Sequence, residues 1–225
     1  MAGDRNLQVG RWAAILVPHD RTSKEELFGS QVSEDEIPSG VRRRMGRIER
    51  LAVRCTLGVL QTRTRTDELI YCSRYGNVES LHALLSTVGS GELMSAITFS
   101  GSVHNAVPGL VGQIRKERLS HTAVAGGPQT FVAGLIESYT RLKLAECRDV
   151  TLTFADLPLP DGYHEFEAEH QPGIVLALRL ECAATIAAAI AVKPGRIGVL
   201  GVLEGLKSGR GQIALEDSAW NESSS

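Results

Sequence analysis

Short runs of apolar residues alternate along this chain with longer segments whose apolar positions recur every three or four residues. Trp12–Val17 (WAAILV), Leu69–Cys72 (LIYC) and Gly173–Cys182 (GIVLALRLEC) read as buried strands, and Val150–Phe154 (VTLTF) alternates as a strand does. A helix starts after Pro38-Ser39 and runs to about Thr62, because Val41, Met45, Ile48, Ala52, Cys55 and Val59 share one face at helical spacing. Asn77 caps a second helix whose buried side is Val78, Leu81, Leu84 and Leu85. Helical spacing returns at Ile197–Leu206, and Gln212–Leu215 forms a last edge strand. The polar segment between Val17 and Pro38 reads as a long surface loop with one short helix. The alanine-rich run Ala183–Val192 fits either strand or helix.

The pattern centres on residues 92–137. A Gly-punctuated turn leads to a helix and then to a short strand, Ala123–Ala125, which breaks at Gly126-Gly127-Pro128 into a helix beginning near Gln129 and ending about Ala145. A strand that stops at small residues and turns straight into a helix is how an α/β protein displays a nucleophile or an anion site. Here the turn holds Gly127, Pro128 and Gln129, none of which attacks an acyl group, and Thr130 is the only nearby hydroxyl. Strands alternating with helices predict one α/β domain over residues 1–225, ending in the polar tail 221–225.

Charge changes this picture little. With 24 basic and 26 acidic residues, nothing drives the chain toward nucleic acid, and its apolar runs are too short to cross a membrane. Four cysteines without ligand spacing, and no signal peptide ahead of Leu7, read as reduced thiols of a cytoplasmic protein. Arg43, Arg47, Arg50 and Arg54 form a basic stripe on the first helix, either a solvated face or a docking strip for an acidic partner. His104 and Asn105 offer a base with an orienting amide or a structural hydrogen-bonding pair. His164 and His170 stand among Glu165, Glu167 and Glu169 in an acidic loop, without the spacing a metal site needs. No phosphate-binding or dinucleotide motif is present, so neither a metal nor a cofactor is expected.

The runs Cys72-Ser73-Arg74-Tyr75-Gly76-Asn77-Val78-Glu79 and Ser100-Gly101-Ser102-Val103-His104-Asn105-Ala106, with Gly109, resemble the β-ketoacyl synthase-like chain length factors of aryl polyene and related polyene clusters. The basic helix from Pro38, the Ala125-Gly126-Gly127 turn followed by Phe131 and Gly134–Glu137, the run Ala155–Pro160 and Trp220 extend the resemblance over residues 38–220. It implies a thiolase-like (ketosynthase-like) fold, mainly its N-terminal half, without the histidines that a full ketosynthase draws from its second half. A ketosynthase cysteine would fall at Gly127 or Pro128. The implied function is non-catalytic: heterodimerisation with a β-ketoacyl synthase, and shaping of the tunnel in which an acyl chain grows on the phosphopantetheine of an acyl carrier protein. Thr98, Phe99 and Phe131 are the expected tunnel or interface lining, while Ser73, Arg74, Tyr75, Gly76, His104 and Asn105 are expected to be structural. Ala96 after Ser95, Pro128 in the turn and Gly101 in the second motif depart from the family pattern. The competing reading is a free-standing hydrolase or acyltransferase that uses Ser102 with His104, or Thr130.

Overall fold

The structure is a computed structural model, and it describes residues 6–20, 23–61, 68–144, 147–167, 172–183, 189–192 and 195–215. The polar tail, Trp220, His170, Thr62, Ala145 and most of the alanine-rich run lie outside the described residues.

One mixed sheet forms the middle layer. Its strands are β1 (Asn6–Val17), β2 (Glu26–Gly29), β3 (Glu68–Cys72), β4 (His121–Val124), β5 (Val150–Asp156), β6 (Gly173–Cys182), β7 (Ile190–Ala191) and β8 (Gln212–Ala214). They follow the order β4-β3-β5-β6-β1-β8-β7, with β2 also paired to β1. β3 runs parallel to β4 and β5, whereas β6 pairs antiparallel with both β5 and β1. The helices are α1 (Ser39–Arg42), α2 (Arg47–Leu60), α3 (Val78–Gly89), α4 (Ala96–Ser102), α5 (Ala106–Arg115), α6 (Thr130–Lys143) and α7 (Gly195–Lys207).

The period-two alternation of the strands sorts the core into two layers. Leu69, Tyr71, Val175 and Ala177 join α1, α2 and α5 on one face of the sheet. Ile70, Cys72, Ile174, Leu176, Leu178 and Leu180 join α6 and α7 on the other. On β6 the large leucines therefore all face α6 and α7, and the small Val175 and Ala177 leave room for α2 to lie close.

β8 is not the expected edge strand, since it lies between β1 and β7, and three further expectations change. The long first helix is two helices: Arg43-Arg44 turn, Gly46 is extended (φ −70°, ψ 178°), and Glu49 accepts a hydrogen bond from the Gly46 N–H to restart the helix as α2. The expected apolar face nevertheless holds, since Val41, Met45, Ile48, Ala52, Cys55 and Val59 are all buried. The long early loop contains a strand, β2, and then crosses α2 at Gly58, where a Cβ would meet the Ser30 carbonyl oxygen at 1.7 Å. The third change concerns α3: of its expected buried side only Leu84 is inside, while Leu81 and Leu85 are exposed.

Candidate functional site

The β4–α6 junction is the turn singled out in the sequence. Gly126 (φ −139°, ψ 33°) ends the strand, Gly127 takes a left-handed φ of +56°, and one 3-10 turn over Gly127–Gln129 leads into α6. Left-handed backbone at such a position is the strained geometry of a nucleophile elbow. A side chain at Gly127 would enter open space, with nothing within 4 Å of its Cβ. The display geometry is present and the nucleophile is not. Thr130 is 1% exposed, and its hydroxyl donates to the Gly127 carbonyl at 2.7 Å and accepts the Gly126 N–H at 2.8 Å. It fastens the turn and is not poised to attack. Among the described residues, the Gln129 Oε1 is buried with no hydrogen-bond partner.

The SRYG and SVHN runs are brought together at the end of β3, and the group that organises them is Asp156, at the end of β5. Its Oδ1 accepts the Ser73 hydroxyl at 2.9 Å, the Arg74 N–H at 2.9 Å and the Tyr75 N–H at 3.4 Å. Ser73 Oγ in turn accepts the Gly76 N–H, and His104 Nε2 donates to the Ser73 carbonyl at 3.1 Å. Gly76 is required twice over, by its φ of +67° and because a Cβ there would stand 2.8 Å from His104 Cε1. Asn77 caps α3 through Ser80 N–H and donates its amide to the Gly101 carbonyl of α4. Asn105 precedes α5 without a side-chain cap. The Ser102 hydroxyl donates to Phe99 O at 2.8 Å, and His104 is held by Ser73, so the dyad of the hydrolase reading is not assembled. Burial pushes the thiols of Cys55 and Cys72 up, well away from nucleophilic thiolates.

The arginine stripe is divided between the two helices and largely used within the chain. Arg47 pairs with Glu25 at 3.2 Å, Arg50 with Glu34 at 3.6 Å, and Arg54 Nε donates to Val32 O at 3.1 Å, so these three hold the 25–34 segment against α2. Arg43 is exposed on the α1–α2 turn and donates back to Ser39 O. In the acidic loop Glu167 is buried, accepts the Leu159 N–H and approaches His19 at 3.3 Å. Among the described residues no group of three or more His, Cys, Asp or Glu is placed to hold a metal ion, and no helix is long and apolar enough to cross a membrane.

The expected lining residues part company. Phe131 is 2% exposed and packs edge-on against Phe154, with ring centroids 5.5 Å apart, so it belongs to the core. Phe99 is 57% exposed on α4, and Thr98 beside it is half-buried. Phe99 is part of a larger apolar surface that the sequence reading missed. Among the described residues, eight of the eleven exposed large hydrophobic side chains lie between Leu81 and Val103, on α3, α4 and the link joining them. The signal was available in the leucine spacing of α3, but an apolar helix face reads equally well as core.

Comparisons with known proteins agree with this geometry. The family described as β-ketoacyl synthase, N-terminal domain, matches residues 19–197. A ketosynthase in complex with its chain length factor, from Xenorhabdus doucetiae, is similar at 26% identity and a TM-score of 0.66, over 81% of this chain and 81% of that one. The ishigamide ketosynthase/chain length factor gives 14% identity and a TM-score of 0.60 over 80% of this chain. A β-ketoacyl synthase from Burkholderia phymatum STM815 gives 11% and 0.57 over 79%. This chain spans 63% and 59% of those two proteins, respectively. A search of curated proteins finds no match. The chain belongs to the β-ketoacyl synthase family, whose N-terminal domain it represents in a thiolase-like fold.

Proposed function

We propose that this chain is a non-catalytic chain length factor that pairs with a β-ketoacyl synthase and shapes the tunnel for a polyene acyl chain carried by an acyl carrier protein in the cytoplasm. The observation that carries the reading is the elbow at Gly127: a turn built to present a side chain, with none to present. Chemistry then has to come from a partner, and the chain offers a surface for one. β4 is a sheet edge, half-exposed and paired on one side only among the described residues, which leaves backbone groups for another strand. The α3–α4 surface supplies apolar area of the kind an obligate interface or acyl tunnel buries. Phe99 and Thr98 remain its lining residues; Phe131 does not. Carrier proteins are acidic, and exposed Arg43 is the stripe residue left to meet one.

The test is co-expression with the cognate ketosynthase. A one-to-one complex is expected. Burying the exposed half of Phe99 or Leu85 contributes roughly 1–2 kcal/mol each, so Leu85→Asp or Phe99→Asp weakens the complex about tenfold or more. Complexes that survive both substitutions unchanged would refute the assignment of this face. A fluorophosphonate probe separates the hydrolase reading, since no adduct forms on Ser102 or Thr130 if the proposal holds.

A further inference from the structure

A partly open cavity of about 250 Å³ lies between the start of α2, α4 and α5, bordered by the exposed Ile97 of the apolar surface. Its apolar wall is Ile97, Ala106 and Leu110, and Gly109 leaves it wide, with nothing within 4 Å of where a Cβ would stand. Arg44, Glu49, Ser100 and Gln113 form the polar end. Glu49 is only 3% exposed. Its Oε2 accepts the Gly46 N–H, while Oε1 lies against Gly101, close enough that a Cβ there would come within 2.7 Å. No hydrogen bond engages Oε1 among the described residues. The Ser100 hydroxyl already donates to Ile97 O, so it too presents an acceptor.

A cavity of about 150 Å³ takes a benzene ring, so this one takes about ten non-hydrogen atoms. Its complement has an apolar body that ends in a neutral hydroxyl or amide: Glu49 Oε1 takes its donor hydrogen, while Arg44 and Gln113 offer donors to its oxygen. α4 presents Ile97, Ser100 and Gly101 to this cavity and exposes Phe99. We propose that the cavity receives the distal end of the acyl chain and that Glu49 accepts a hydrogen bond from a hydroxyl or amide donor at that end. This rests on the chain-length-factor reading. Gly101, which departs from the family pattern, is the residue that lets α4 approach Glu49, and Gly109 sets the depth available.

The probes are 1-heptanol and methyl hexyl ether, similar in size but only one a donor, titrated into the isotope-labelled protein well above the ordinary carboxylate titration range. Saturable shifts of the Ser100 and Gly101 amides are expected, with the alcohol about tenfold tighter than the ether. Glu49→Gln should reduce that preference to near parity, and Gly109→Leu or, if it misfolds, Ala106→Leu should abolish binding of both. Absence of saturable shifts, or equal affinities in the wild-type protein, overturns the proposal. In the complex with ketosynthase, Gly109→Leu should shorten the product; unchanged lengths from a working complex also overturn it. A wild-type complex that elongates nothing contradicts the functional reading instead and leaves the titration result standing.

Discussion

Removing the Asp156 carboxylate should release the SRYG loop, and the cost can be worked from its contacts. Asp156 is 2% exposed, and its Oδ1 holds two donors at 2.9 Å, the Ser73 hydroxyl and the Arg74 N–H, with a longer third from Tyr75. A hydrogen bond to a charged group contributes about 1.5–3 kcal/mol, and a donor left buried without an acceptor costs a similar amount. The two short bonds share one oxygen and are not additive, so Asp156→Ala should cost about 3–5 kcal/mol. That is a large part of the roughly 5–15 kcal/mol that holds a domain together. Asp156→Asn keeps an oxygen in place and loses only charge assistance, so about 1–2 kcal/mol is expected. Urea unfolding measures both, and amide exchange at Arg74 and Tyr75 reports whether the loss is local. The reasoning is refuted if the alanine variant lies within about 0.5 kcal/mol of wild type, or if asparagine is as damaging as alanine.

Gly76→Ala should cost about 1–2 kcal/mol for its left-handed backbone, and more through contact with the His104 ring. In a double-mutant cycle by urea unfolding, His104→Ala should then cost less in the Gly76→Ala background than in wild type, with a coupling of about 0.5–1 kcal/mol. Burial raises the Glu49 pKa above its ordinary 4.5. The folded chain therefore holds that proton more tightly than the unfolded chain, and stability falls as pH rises from the ordinary value through the raised one. Glu49→Gln should flatten this slope, so that in unfolding curves the variant gains on wild type as pH increases; an unchanged slope contradicts the assignment. Gly134→Ala should destabilise by at least about 1–3 kcal/mol in the same assay, because its Cβ would stand 2.3 Å from Cys72 Sγ and 3.0 Å from Leu152, with the sheet behind them.

The strands were legible where period and burial agree. LIYC and VTLTF lie where expected because a central strand sandwiched between helices has few alternatives. β1 began earlier than its continuous apolar run, since pairing with β6 and β8 carries the alternating Asn6–Arg11 stretch into the sheet, with Leu7 and Val9 buried and a bulge at Gly10. The break between α1 and α2 was invisible in the spacing: Val41 and Met45 keep helical period even though the chain turns at Arg43, and only the Gly46–Glu49 contact marks the restart. The arginines repeat with the same period and suggested an outward strip. Their partners, Glu25, Glu34 and Val32, sit in a segment whose path across α2 no local pattern reveals. The empty elbow was readable from residue types alone. Asp156 was visible only as a member of a run, because what it binds lies more than eighty residues earlier in the sequence. The apolar side of α3 was read as core, while Phe99 on α4 was read as lining, since spacing says which residues share a face and not what covers it.

The central claim is that the bond-forming step belongs to another subunit. The direct measurement is intact-mass analysis of both subunits during turnover with the cognate ketosynthase and malonyl-loaded carrier protein. The account predicts acyl mass on the ketosynthase alone, this chain unmodified throughout, and elongation only when both are present. An acyl adduct on any side chain of this subunit, or elongation by it in isolation, would contradict it.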